Sequence, residues 1–150
     1  MIKNSKSYLQ FADLEAFDYN ATKTNVEALF SKYRSFKSKE QIIKKRYKAS
    51  LSLDNLGIYS SGINDPVGNI VEQLEKYQKF IKTVDDVYKL NSKDLSKDEV
   101  VIYKKYLIEK MTEEDLLSIL NITSSSSLYA RKRSCIVKVA LWFDLEVYKF

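Results

Sequence analysis

A chain of 150 residues with one proline and three glycines has few places at which to turn. β-Sandwiches and barrels need turn residues at the end of nearly every short strand, so this sequence argues against them and for long helices. Two of the glycines, Gly57 and Gly62, fall in one stretch, residues 49–65 (ASLSLDNLGIYSSGIND), which is the expected linker. The reading is an all-α fold in which long N-terminal helices precede a C-terminal three-helix unit. Its expected divisions are an arm at residues 1–22, a helical region at 23–92 and a C-terminal domain at 93–150.

Several function classes fall away on composition. The chain is 45% hydrophobic and 30% charged, and no apolar run approaches the roughly 20 residues a bilayer requires. The opening MIKNSKSYLQFADLEAF has no apolar core of the secretory type, so a soluble, cytoplasmic protein with no membrane partner is expected. Cys135 stands alone, which excludes an internal disulfide, and the absence of histidine removes the usual zinc sets and every histidine-based triad. The carboxylate pairs Asp85-Asp86 and Glu113-Glu114 are adjacent, so each pair diverges around a helix instead of sharing a site. No glycine-rich phosphate loop occurs. Neither catalysis, a cofactor nor a metal is expected.

Charge is unevenly distributed. Residues 23–48 hold nine lysines and arginines against two glutamates, residues 49–95 hold five against seven acids, and the last thirty hold five against two. Basic segments on either side of an acidic middle suit a protein that offers selected faces to a polyanion. Lysine-rich helices that are simply solvated would give the same count.

Residues 1–20 mix single aromatics, among them Phe17 and Tyr19, with acids and no sustained period, which reads as an arm whose rings dock on the body. Thr24 is the expected N-cap of the first long helix, because Val26, Leu29, Phe30, Tyr33 and Phe36 follow at helical spacing and the pattern extends to Ile43 and Tyr47. The outer face then carries Lys44, Lys45, Arg46 and Lys48 as auxiliary phosphate contacts. Asp65 before Pro66 marks a second helix start, after which Val67, Ile70, Val71, Leu74, Tyr77, Ile81, Val84 and Tyr88 form a narrow stripe. That stripe is expected to pack on Val26, Leu29, Phe30 and Tyr33, or on a second copy in a homodimer. Ser96 followed by Glu99 forms a capping box for the next helix, KDEVVIYKKYLIE.

The densest pattern is MTEEDLLSILNITSSSSLYARKRSC, residues 111–135. Thr112 caps a short helix with Asp115 in the third position, and Glu113 and Glu114 lie at the positive end of its dipole. Asn121 tolerates the left-handed conformation a sharp turn needs. Thr123 or Ser124 caps the second helix, whose apolar positions Leu128, Cys135, Ile136, Val139, Ala140 and Phe143 keep to one side. Lys132 falls on that same stripe, from which its stem can carry the ammonium to the edge of the core. Cys135 reads as core. Two helices joined by a tight turn, the second presenting hydroxyls and cations, is the layout of a helix-turn-helix reader of DNA. The expected DNA contacts are Thr123, Ser124, Ser125, Ser126, Tyr129, Arg131, Arg133 and Lys138, with Tyr129, Arg133 and Ser125 or Ser126 along one edge.

MTEEDLLSILNIT followed by SLYARKRSC and an apolar tail resembles the C-terminal part of ArpU/RinA-type phage late transcriptional regulators, which are similar to region 4 of sigma factors. The segment ATKTNVEALFSKYRSFK resembles the opening of the same family, with Thr22-Lys23 and Asn25-Val26 ahead of Tyr33-Arg34. The resemblance runs from about residue 21 to residue 143 and leaves 49–65 unmatched. It implies a sigma region 4-like trihelical domain in an activator of phage or prophage late genes for packaging and lysis, acting on promoter DNA in a bacterial host.

The alternative is a non-regulatory helical adaptor, such as a packaging-type subunit that recognises DNA or a protein. Residues 96–150 carry nine basic side chains against eight acidic ones, which is modest for a stand-alone DNA binder. A second copy of the chain or bacterial RNA polymerase is therefore the expected source of further affinity.

Overall fold

The computed structural model describes residues 16–55 and 66–149. The described chain is helical apart from one isolated antiparallel bridge. Its helices are α1 (Tyr19–Asn55), α2 (Pro66–Asn91), α3 (Lys97–Ile102), α4 (Glu113–Leu120) and α5 (Ser125–Trp142), with a 3-10 turn at Ser92–Asp94 and a π-helical continuation of α3 at Tyr103–Ile108. None of the described helices is long and apolar enough to cross a membrane.

α1 starts five residues before the expected cap. The Asp18 carboxylate accepts from the Ala21 amide at 3.1 Å, so Asp18 caps the helix. Thr24 instead lies inside the helix and donates its hydroxyl to the Asn20 carbonyl at 2.9 Å. At the other end α1 runs through Asn55, so the first seven residues of the expected linker are helical, while 56–65 lie outside the described residues. Pro66 opens α2 as expected; its proposed cap, Asp65, lies outside the described residues.

The later boundaries follow their local signals. Ser96 and Glu99 exchange the two bonds of a capping box, at 3.2 and 2.8 Å. Thr112 Oγ1 accepts from the Asp115 amide at 3.2 Å. Asn121 has φ 56° and ends α4 in a Schellman motif, in which the Ile122 amide reaches the Leu117 carbonyl at 3.0 Å and the Asn121 amide that of Ser118 at 3.2 Å. Asp144, at φ 55°, ends α5 similarly, with the Leu145 amide on the Ala140 carbonyl at 2.9 Å.

The chain divides into two compact units whose boundaries differ from the expected ones. Residues 1–31 and 87–150 form the first, and residues 32–86 the second. The physical reason lies in α1: Phe30, fully buried, meets Tyr103 edge-on at 5.4 Å and Phe143 at 6.3 Å. The first turns of α1 thus belong to the core of Ile102, Leu107, Leu116, Leu128, Ile136 and Val139. Residues 16–18, expected as part of an arm, are tied to 147–149. The Asp18 amide donates to the Val147 carbonyl at 2.7 Å, the Lys149 amide donates to that of Ala16 at 2.8 Å, and Phe17 packs on Tyr148 at 5.1 Å. Buried Thr22 accepts from the Val147 amide at 3.0 Å, and Asn25 donates to the Leu145 carbonyl at 3.2 Å.

In the second unit α1 and α2 run antiparallel. Tyr33 donates to Asp85 at 2.7 Å, while Phe36 lies 5.0 Å from Phe80 and 4.7 Å from Tyr77. The α2 stripe therefore pairs with α1 as expected, but from Tyr33 onward. Phe30, one turn earlier, is spent in the other unit. Ile43, Ile81 and Val84 are buried, and Lys32 lies over the Phe80 ring at 4.8 Å.

Phe30→Ala removes a fully buried ring against which two other aromatics pack. It is expected to destabilise the first unit by about 3–5 kcal/mol, read from the shift of the urea midpoint at unchanged slope.

Candidate nucleic-acid interface

The candidate surface lies on α5 and is defined by what the helix buries. Leu128, Lys132, Cys135, Ile136, Val139 and Ala140 are all turned inward. The start is capped by Ser124, whose hydroxyl accepts from the Ser127 amide at 3.2 Å and pairs with that of Ser126 at 2.8 Å. Of the two caps the sequence allows, Ser124 is the one used, and Thr123, Ser125 and Ser126 are exposed around it. Tyr129 is 50% exposed one turn further on.

Beside Tyr129 lies a small aromatic and cationic cluster. The Arg133 guanidinium stands 4.8 Å from the centre of the Tyr19 ring, and Tyr129 meets that ring edge-on at 5.8 Å. Burial raises the Tyr19 phenol pKa above the ordinary tyrosine range, helped by nearby Tyr129 and opposed by Arg133. Tyr19 came from the expected arm. It is separated from Arg133 by most of the chain, so no local signal in the sequence links them.

Two of the expected DNA contacts are held by α3. Arg131 bonds Asp98 at 2.5 Å, and Lys138 bonds the Glu99 carboxylate at 2.8 Å and the Asp94 carbonyl at 3.1 Å. Positions 131 and 138 are seven apart, two helical turns, so they share a side of α5, and that side faces the acidic first turn of α3. Lys138 is a counter-ion of the core in this arrangement. Arg131 is half-exposed and already paired.

Glu99 has more than one function. Burial pushes its carboxyl upward, but hydrogen bonds from Lys138, the Ser96 amide and Ser134 outweigh burial and hold it below the ordinary glutamate range. Lys132 shows a related solution. Only 4% exposed, it carries its ammonium to Glu113 at 2.9 Å and lies 4.1 Å above the Tyr106 ring, whose hydroxyl donates to Glu27. The expected route of its stem to the core edge is therefore seen, ending on an exposed carboxylate. Cys135 is core, and burial pushes its thiol pKa upward.

The auxiliary cations Lys44, Lys45, Arg46 and Lys48 are exposed on the α1 segment of the second unit, with Lys44 3.9 Å from Glu40. Among the described residues no group of three or more metal-ligating side chains occurs. No family model matches the chain, and no curated protein or solved structure matches it either.

Lys138→Ala leaves the Glu99 carboxylate buried without its cation and is expected to cost about 3 kcal/mol at pH 7, measured by urea unfolding. The folded Glu99 carboxyl titrates below its ordinary value, so its contribution is complete at neutral pH and is lost as acid protonates it. The stability gap between the parent and Glu99→Gln should accordingly narrow as pH falls below about 4.

Proposed function

We propose that this protein is a sequence-specific DNA-binding transcriptional activator, of the kind that switches on phage or prophage late genes for packaging and lysis. The observation that carries the reading is the construction of α5. A short helix is followed by a four-residue connection that opens on the left-handed Asn121, and the serine-capped helix after it leaves Ser125, Ser126 and Tyr129 exposed, with Arg133 half-buried beside Tyr129 and Tyr19. A helix-turn-helix of this form sets the N-terminal part of its second helix in the major groove, where hydroxyl, phenol and guanidinium groups meet base edges. Amides and hydroxyls at the helix start suit the adjoining phosphates. The resemblance to ArpU/RinA-type regulators supports the same assignment and supplies the biological setting.

Four residues carry base or phosphate contacts at the helix start, namely Thr123, Ser124, Ser125 and Ser126, and Tyr129 and Arg133 carry the readout. Lys44, Lys45, Arg46 and Lys48 add salt-dependent attraction to flanking backbone. RNA polymerase or a second copy of the chain supplies the remaining affinity. An adaptor that recognises a protein through the same helices is the second reading. It is favoured by one observation: Arg131 and Lys138 are paired within the fold, which leaves α5 with little free charge for DNA.

Selection from a randomised duplex pool, followed by anisotropy titrations at two salt concentrations, separates the readings. Tyr129→Ala and Arg133→Ala are each expected to weaken binding to the selected site about tenfold. Lys45→Ala should weaken binding to all sequences alike and reduce the salt slope by about one. Parent-like binding by both α5 variants removes this face from the DNA reading.

A further inference from the structure

The second unit carries a row of cations along one side of α1. Lys32, Lys39 and Arg46 follow one another at intervals of seven residues, two helical turns, and so form a line of about 21 Å at ~1.5 Å per residue. All three are exposed. Among the described residues none of them is joined to a carboxylate, whereas Lys44 lies 3.9 Å from Glu40 and Lys82 lies 2.7 Å from Asp86.

Aromatic rings hold two members of the row in place. The Lys32 ammonium lies 4.8 Å from the centre of the Phe80 ring and 5.3 Å from that of Phe36, and the Lys39 ammonium lies 5.8 Å from Phe36 and 5.8 Å from Tyr77. Phe36 meets Tyr77 at 4.7 Å and Phe80 at 5.0 Å, so the three rings form one wall across both helices of the hairpin. An ammonium is a compact charge with three donors, and contact with a ring on one side leaves donors for an acceptor on the other. The acids that meet α1 are kept on its opposite flank. There Tyr33, Glu40 and Lys44 follow at steps of seven and four, and Tyr33 donates to Asp85 at 2.7 Å.

A straight row of cations matches a straight row of phosphates. Single-stranded nucleic acid gains much of its affinity by stacking bases on open aromatic faces. Here the rings pack against one another and the two lysines lie over them, so the edge offers charge and no stacking platform. A duplex keeps its bases inside, and a row of about 21 Å spans about six of its base pairs at ~3.4 Å each. Resting on the DNA reading above only for the choice of DNA over an RNA duplex, we propose that the Lys32, Lys39 and Arg46 edge of the hairpin is a sequence-independent docking surface for the phosphate backbone of double-stranded DNA. Of the four cations already assigned to flanking backbone, Arg46 alone falls on this row, and Lys32 and Lys39 are added to it.

The test uses the full chain. Anisotropy titrations follow a labelled DNA duplex unrelated to any selected site over a series of salt concentrations, alongside a single strand and an RNA duplex of the same sequence. Lys32→Gln with Lys39→Gln should make the slope of log affinity against log salt shallower by about two. Lys32→Arg with Lys39→Arg, which keeps both charges, should retain the parent slope. Lys79→Gln with Lys82→Gln removes equal charge from the side of α2 that carries Asp86 and should leave the slope near that of the parent. An inactive fraction rescales every affinity alike and leaves the slope unchanged, so partial unfolding does not mimic the result. A parent-like slope in the Lys32 and Lys39 glutamine pair, or an equal loss in the Lys79 and Lys82 pair, overturns the docking surface. Tighter binding to the single strand that the first pair abolishes overturns the choice of a duplex, and equal binding of the RNA duplex with the same loss overturns the choice of DNA. No selected sequence enters the measurement: α5 can fail as a reader while the slope still falls, and the slope can stay unchanged while α5 still selects, so the two failures are distinguishable.

Discussion

The first unit depends on a buried carboxylate. Glu99 accepts the Ser96 amide at the start of α3 and the Lys138 ammonium from the middle of α5. A helix start and a helix crossing are thereby fixed by the same side chain. Such a group is costly to bury and is tolerated only when its partners are in place, so any arrangement of α3 and α5 that separates them leaves a charge in the core. Hydrophobic contacts among Leu107, Leu116, Leu128 and Ile136 supply most of the driving force but little directionality. The ion pair supplies the direction, and the register it sets decides which residues of α5 are left facing outward.

Lys132 works in the opposite sense. Its carbon stem fills a place on the apolar stripe, and its charge is delivered to Glu113 across the Tyr106 ring. Glu113 is the first residue of α4, so this contact links α4 to α5 alongside the turn at Asn121. Tyr106 in turn holds Glu27 of α1. Burial and that hydrogen bond raise the Tyr106 phenol pKa well above its usual range, which keeps it protonated as the donor. Charged groups thus link four helices around an otherwise apolar centre.

Much of the fold was legible because its signals are local. Ser96 with Glu99, Thr112 with Asp115, and Asn121 at the turn are read within a few residues, and each forms the bonds its spacing predicts. The start of α1 was harder, since Asp18 caps a turn that has not yet shown any apolar period, whereas Thr24 stands just ahead of one. The candidate surface was legible in its serines and Tyr129. The fates of Arg131 and Lys138 were not, because their partners lie 33 and 39 residues away and the sequence does not show which cations face another helix. Tyr19 is the extreme case: its ring meets Arg133 and Tyr129 from the far end of the sequence, beside the pairing of residues 16–22 with residues 147–149.

That last pairing has a consequence for the order in which the molecule is made. Residues 16–31 emerge from the ribosome early, yet their packing partners include residues 143–149, so the first unit closes a loop that spans most of the chain and carries the corresponding entropy. The second unit, contiguous at 32–86, is free of that delay. A chain that stops before residue 143 would lack both Phe143 against Phe30 and the Val147 partner of Asp18 and Thr22. The first unit therefore closes only after residues 143–149 have been made, whereas the residues of the second are complete earlier in the chain.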